Sequence, residues 1–136
     1  MGNKVVKRRL VIVIAFTCLV TFLVGCSIST SFNRKVGAVE TQINNNWKSS
    51  FRFFDGSEQK SIHLDEGESL VIKYILEVKK GELELSIIDR DDIVLLKAED
   101  AEGELIYIAA DEIDCYININ AIDARGLFEI TWDVRD

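Results

Sequence analysis

The sequence predicts an all-β domain over residues 47–136, folded as an antiparallel β-sandwich or jelly roll of about eight short strands. Apolar and polar residues alternate with a period of two from Trp47 to the end of the chain, which is typical of half-buried strands. Turns rich in Asp and Gly interrupt this alternation at regular intervals, and no segment between them is a convincing amphipathic helix. The gaps are too short for the helical crossovers of a parallel sheet.

The first strands follow directly from this alternation. Phe51 and Phe53 have polar neighbours, and Ile62 and Leu64 flank His63 in the same way. A longer strand covers residues 70–78. Lys80-Gly81 then predicts a hairpin turn into a strand over residues 83–87, because Gly tolerates the positive φ of a tight connection.

The remaining strands are expected at residues 93–96, 105–109, 115–121 and 127–134. Each follows an acidic or Gly-containing break, at residues 89–92, 100–103, 111–114 and 123–126. The chain contains no proline, so we expect charged side chains to protect its edge strands. Five are available for this, namely Lys73, Glu77, Lys79, Glu82 and Glu84.

The segment before this domain, residues 26–46, is polar and is expected to act as a tether. Val36, Val39 and Ile43 are spaced like one face of a short helix. Two interpretations stay open: part of the tether is helical, or it packs back on the domain.

The N-terminus has the order of features that defines a secretory signal peptide. Four basic residues precede an apolar run from Leu10 to Val24 that ends at a small residue, Gly25. The fifteen residues of this run fall short of the roughly 20 that a membrane-spanning helix needs. An uncleaved signal anchor is the alternative, and in both cases the basic side stays inside and the domain lies outside the cytoplasm.

The boundary sequence Leu23-Val24-Gly25-Cys26 resembles the lipobox of bacterial lipoproteins. The resemblance implies that the Cys26 thiol receives a diacylglyceryl group and that a signal peptidase recognises Leu23, Val24 and Gly25 and cuts before Cys26. Lipid on Cys26 would then hold the protein on the extracytoplasmic face of the cell membrane. The expected organisation is a signal peptide at 1–25, a lipidated tether at 26–46 and a β-sandwich at 47–136.

The closing pattern of the chain resembles the ends of small uncharacterised β-sandwich lipoproteins in low-GC Gram-positive bacteria. It consists of alternating apolar residues over 115–121, followed by Ala124, Gly126, Phe128, Ile130 and Trp132. This resemblance implies no functional residues. At the start of the penultimate strand, where an aromatic residue is expected, this chain has Cys115.

The charge balance excludes one class of partner. The chain has 16 Lys and Arg and 23 Asp and Glu, and four of the basic residues lie in the signal peptide, so the remainder has a net charge of −11. Such a surface repels nucleic acid and anionic wall polymers.

The cysteines and the only histidine do not indicate catalysis. Cys18 lies in the signal peptide and Cys26 is the expected lipid site, which leaves Cys115 as the only thiol of the domain and excludes an internal disulfide. Cys115 shares its face with Ile117, which predicts a core position, while His63 is expected on the outer face of its strand. No catalytic or cofactor motif is present, so an enzyme is the remote alternative.

Two ligand hypotheses remain. Asp89, Asp91 and Asp92 form a weak calcium candidate, although aspartate is also common in turns for local reasons. Trp47, Phe54 and Tyr116 could face outward and stack on a sugar, whereas Trp132 is expected in the core. For Trp47 itself, packing at the start of the domain is the preferred interpretation.

These observations predict a membrane-anchored, non-catalytic binding or accessory module. Its expected partners are the membrane, through lipid on Cys26, and an unidentified surface protein. A carbohydrate- or calcium-dependent cell-wall-binding domain is the alternative, and no cofactor is expected.

Overall fold

The computed structural model describes residues 33–136, and the predicted signal peptide, the predicted lipobox and the expected lipid site Cys26 lie outside these residues. The described part is all-β and every strand pair is antiparallel, which confirms the predicted fold class. No helix within residues 33–136 is long and apolar enough to cross a membrane. The seven strands are β1 (Arg34–Val36), β2 (Val39–Ile43), β3 (Asn46–Leu64), β4 (Ser69–Ile88), β5 (Val94–Lys97), β6 (Glu102–Ile108) and β7 (Ile113–Arg135).

Three of these strands are unusually long. β3, β4 and β7 contain 19, 20 and 23 residues, whereas strands usually contain 3–10. They are neighbours in the sheet order β1-β3-β7-β4-β5, with β2 also paired to β3 and β6 also paired to β4. Each changes register near its middle, and the shifts in β3 and β4 lie against the same part of β7.

These register changes divide the sheet into two layers that enclose one core. The first layer contains β2, β6 and residues 46–51, 69–78 and 126–135, and the second contains β5 and residues 56–64, 82–88 and 113–122. Apolar side chains of both layers belong to the same buried cluster. The structure is therefore a β-sandwich whose three central strands run through both layers.

The core follows the period-two pattern of the sequence. Phe128 is fully buried and its ring lies 4.8 Å from that of Trp47 in an edge-to-face arrangement. In the second layer, Ile117, Ile119 and Leu85 are fully buried, since they alternate with outward polar residues. Burial of such side chains stabilises a domain by roughly 1.5–3 kcal/mol each.

The predicted hairpin at Lys80-Gly81 is wrong, because β4 continues through it. Gly81 has a φ of 73° and lies at a register shift against β7, where residues Lys80 and Glu82 pair with Arg125 and Ile122. A Gly with positive φ serves a β-bulge as well as a hairpin turn. The two short strands expected on either side of Gly81 are therefore one bent strand.

The break predicted at residues 123–126 is likewise part of a strand. β7 continues through it, with Asp123 at a φ of 47°. Gly126 lies against the Glu77 carbonyl so closely that a Cβ atom would collide with it. A third merger joins the strands expected around Phe53 and Ile62, because β3 runs without a break from Asn46 to Leu64. The eight strands predicted over residues 47–136 are therefore five, β3 to β7.

The expected boundary after residue 46 does not separate a tether from the sheet. β1 and β2 lie before it and pair with β3, so residues 34–43 are extended rather than helical. The Lys35 ammonium lies 2.9 Å from the Glu58 carboxylate, 3.2 Å from the Glu40 carboxylate and 5.6 Å from the centre of the Phe128 ring. These contacts hold β1 against the core, in agreement with the interpretation that part of residues 26–46 packs back on the domain.

Candidate functional site

The outer side of the second layer presents a regular surface made mainly of hydroxyl and amide side chains, which we call the polar face. It is made of three rows that run across β3, β7 and β4. The rows are Ser57 with Asn120 and Glu84, Gln59 with Asn118 and Ser86, and Ser61 with Tyr116 and Ile88.

The pairing of the strands explains why these groups converge. Successive side chains of a strand alternate between its two sides, so Ser57, Gln59 and Ser61 share one side of β3. Antiparallel pairing then places Asn118 and Asn120 beside them, while Ile117 and Ile119 enter the core. One alternating pattern thus builds the core and the polar face together.

The first two rows of the polar face, with Ile88 of the third, line a shallow groove of about 340 Å³, and Ser61 and Tyr116 lie outside its lining. Its floor contains Ser86, which is buried, and its rim includes Asp92 and Val94 from the segment after β4. The Nδ2 group of Asn118 donates a hydrogen bond of 3.3 Å to Ser86 Oγ, while the buried Oδ1 atom of Asn118 has no hydrogen-bond partner within the described residues 33–136. Because a buried polar atom without a partner is costly, this carbonyl favours a ligand or water that donates to it.

A second cluster lies at the end of the second layer, around His63. The imidazole Nδ1 lies 2.7 Å from Asp114 Oδ1 across the β3–β7 pair, and the Arg90 guanidinium donates to the other oxygen of the same carboxylate. The imidazole Nε2 lies 3.4 Å from Asp65 and 3.6 Å from Glu112. We call these five residues the His63 cluster.

The contacts of this cluster shift two pKa values in opposite directions. The hydrogen bond to Asp114 raises the pKa of His63, and the nearby charges of Asp65 and Glu112 add to this. The hydrogen bonds from His63 and Arg90 lower the pKa of Asp114. The prediction that His63 faces solvent is confirmed, but its acidic surroundings were not anticipated.

Cys115 lies in the core, as predicted. It is fully buried, and burial raises the pKa of its thiol to about 11. Its cross-strand partner is Ile62, next to His63 in sequence, yet the thiol points inward and the imidazole outward. The strand alternation therefore keeps these two groups apart.

The acidic turn at residues 89–92 has a local role. Asp89 Oδ1 accepts hydrogen bonds from the backbone N–H groups of Asp91 and Ile93, at 2.8 and 2.9 Å. Asp89, Asp91 and Asp92 do not form a group of converging ligand atoms; within residues 33–136 such a group is found at His63, Asp65 and Glu112. The geometry agrees with the turn interpretation of these aspartates.

The aromatic candidates divide between the core and the polar face. Trp47 and Phe54 are buried, and the indole N–H of Trp47 donates to Glu40 at 3.0 Å. The outward position considered for Phe54 is therefore wrong. Trp132 packs against the core from a half-buried position, while Tyr116 is half-buried at one end of the polar face.

Sequence reasoning missed both groups of residues for the same reason. For the polar face the sequence held a usable signal, because uncharged polar residues occupy every second position in two segments. These positions are Ser57, Gln59 and Ser61 in one segment and Tyr116, Asn118 and Asn120 in the other. This pattern predicts that residues 57–61 and 116–120 each present uncharged polar side chains on one side of a strand. Which strands are neighbours, and in what register, decides whether such sides meet.

Comparison with known proteins finds weak similarity to solved structures. No protein-family model matches the chain, and no curated protein matches it. Among solved structures it is similar to PliG of Aeromonas hydrophila, a periplasmic inhibitor of g-type lysozyme, with a TM-score of 0.46 and 9% identity over 71% of this chain and 89% of that chain. It is also similar to a low-affinity xylan-binding module, CBM86, of Roseburia intestinalis, with a TM-score of 0.38 and 14% identity over 76% of this chain and 88% of that chain. Both TM-scores lie below 0.5, and neither protein's ligand is transferred to this chain.

Proposed function

We propose that this chain is a lipid-anchored, extracytoplasmic, non-catalytic module that binds a neutral saccharide through its polar face. One observation carries this proposal: a shallow groove is lined by five hydroxyl and amide side chains together with the carboxylates Glu84 and Asp92, and the buried Oδ1 atom of Asn118 in it has no hydrogen-bond partner within residues 33–136. The five side chains are Ser57, Gln59, Ser86, Asn118 and Asn120. The proposal joins the binding-module prediction to its carbohydrate alternative.

The chemistry of the polar face suits sugar hydroxyls. Each sugar hydroxyl both donates and accepts hydrogen bonds, and Ser, Asn and Gln side chains offer both roles. Tyr116 adds a ring at the end of the middle strand, where apolar C–H groups of a sugar can pack. The net charge of −11 that follows from the sequence favours an uncharged polymer over an anionic one.

The same surface is a poor match for a protein partner. The buried centre of a protein–protein interface is usually enriched in aromatic residues, Met and Arg. Of the nine residues of the polar face, one is aromatic, Tyr116, six carry a hydroxyl or amide group, and the other two are Glu84 and Ile88. Binding of a protein partner is therefore the alternative to saccharide binding that the retention experiment must distinguish.

The anchor is proposed from the lipobox and places the domain near the membrane. Residues 27–33 join Cys26 to β1, the first strand of the described part of the chain, which begins at Arg34. Even fully extended, these residues reach at most roughly 25 Å. The groove would then meet ligands close to the outer surface of the membrane.

We expect a soluble form of residues 27–136 to be retained on insoluble neutral wall polysaccharide. Asn118→Ala and Tyr116→Ala should each weaken retention about tenfold, since loss of one hydrogen bond or ring contact costs about 1–1.5 kcal/mol. Thr131→Ala, on the outer side of the first layer, is the matched control and should bind like the wild type. Depletion assays measure all four proteins.

Two results would contradict the saccharide proposal. One is equal retention of the Asn118→Ala, Tyr116→Ala and wild-type proteins. The other is no retention on any neutral polysaccharide, together with capture of one surface protein by the wild type. The second result would restore the protein-partner prediction.

A separate experiment tests the anchor. Cells given labelled palmitate should label the wild-type protein and leave Cys26→Ser unlabelled and unprocessed, because the thiol carries the lipid. Cys115→Ser is the control and should label normally, since its thiol lies in the core. Palmitate incorporation by Cys26→Ser would refute the lipoprotein assignment.

A further inference from the structure

We propose that His63, Asp65 and Glu112 form a binding site for a divalent transition-metal ion, with Zn²⁺ as the best match. The inference is independent of the proposed function, because it rests on the His63 cluster at the end of the second layer. Three elements supply the ligands: the end of β3, the loop after it and the loop before β7.

The distances between the ligand atoms fit one small cation. Nε2 of His63 lies 3.4 Å from Asp65 Oδ1 and 3.6 Å from Glu112 Oε1, and all three ligand atoms lie within 4.8 Å of one another. A tetrahedral zinc ion with bonds of about 2.0–2.1 Å holds its ligand atoms about 3.3 Å apart. The three side chains could therefore close on Zn²⁺ with small rotations.

Asp114 prepares the imidazole for this role. Its Oδ1 atom lies 2.7 Å from Nδ1 of His63, so the neutral ring keeps its proton on Nδ1 and directs the lone pair of Nε2 at Asp65 and Glu112. The Arg90 guanidinium donates to the other oxygen of Asp114 and holds that carboxylate in place. A carboxylate behind a histidine is the usual second partner of zinc-binding imidazoles.

The donor set selects among metals. One imidazole nitrogen with two carboxylate oxygens suits Zn²⁺ and its transition-metal neighbours, whereas Ca²⁺ and Mg²⁺ prefer oxygen alone. All three ligand side chains are exposed, so a fourth position is open to water or to a ligand. This arrangement corresponds to an accessible site rather than a closed structural one.

The fold explains how one histidine suffices. His63 pairs directly with Asp114 in the β3–β7 register. Asp65 follows His63 by two residues, just after β3 ends, and Glu112 precedes Asp114 by two residues, just before β7 begins. Antiparallel pairing brings both ends to the same place. A single cross-strand pair therefore positions four of the five residues of the His63 cluster.

The test uses the full chain, purified in detergent and labelled with ¹⁵N at histidine, because His63 is its only histidine. We expect one equivalent of Zn²⁺ at neutral pH to shift the Nε2 resonance while Nδ1 stays protonated. Asp65→Asn, Glu112→Gln and Asp114→Asn should each weaken Zn²⁺ binding at least tenfold. Glu66→Gln removes the same charge beside Asp65 and should leave the affinity unchanged.

Three results with the wild-type protein and the ligand variants would overturn the site. They are an Nε2 resonance that does not respond to Zn²⁺, an affinity unaffected by Asp65→Asn and Glu112→Gln, and an equal response to Ca²⁺. Equal weakening by Glu66→Gln would also overturn it, by showing that the acidic loops attract cations without a defined site. An unchanged backbone amide spectrum in each variant shows that the fold is intact, since the substituted side chains are on the surface.

Discussion

Replacing Gly81 with alanine is expected to destabilise the domain by about 3–5 kcal/mol. Two independent costs add. The φ of 73° is strained for any residue with a Cβ atom, and that atom would lie well inside 3.0 Å of the backbone carbonyl oxygens of Ile122 and Asp123 on β7. Backbone atoms cannot rotate away as a flexible side chain can, so β4 and β7 must separate at the bend.

Gly67→Ala is the matched control for this substitution. Gly67 also has a positive φ, of 87°, but an added Cβ atom would meet nothing within 4 Å. Gly67→Ala is therefore expected to lower the free energy of unfolding only through the strained backbone conformation, by roughly 1–2 kcal/mol. Urea unfolding of residues 27–136 measures both variants, and equal costs would contradict the close packing of the two bent strands.

Phe128→Ala is expected to destabilise the domain by about 3–5 kcal/mol, because it removes buried apolar surface and leaves a cavity. Phe128 is fully buried in β7, and its ring contacts Trp47 edge to face and lies 6.2 Å from the centre of the Phe51 ring. Lys35 also lies over this ring. The substitution should therefore loosen β1 as well as the core.

Ile122→Ala provides the comparison on the same strand. Ile122 is 52% exposed, so its truncation should change the free energy of unfolding by no more than about 0.5 kcal/mol. Chemical denaturation followed by Trp fluorescence gives both values. If Phe128→Ala lowered the free energy of unfolding as little as Ile122→Ala does, the result would contradict a core position for Phe128.

The fold class was predictable because burial imposes a period of two on every strand. The alternation of Cys115, Ile117 and Ile119 with polar residues identified their buried side correctly. Strand continuity was not predictable, because Gly81 at a positive φ is compatible with both a hairpin and a bulge. The choice depends on β7, whose own irregularity at residues 123–126 lies opposite.

The N-terminal strands were missed for a different reason. β1 has three residues and β2 five, too short for a period to stand out among polar residues. Their place is set by partners far along the chain, such as Glu58 for Lys35. The His63 cluster likewise needed the β3–β7 register, which brings Asp114 to His63 across 51 residues of sequence.

The central claim, that the polar face is the binding surface, is tested most directly by chemical-shift mapping. Backbone amide spectra of residues 27–136 are recorded with a soluble fragment of the neutral polysaccharide that retains the protein. We predict that the largest shifts lie at residues 57–61, 84–88 and 116–120, with the Asn118 side-chain amide among them. Shifts confined to β2, β6 or the outer side of the first layer would contradict the claim.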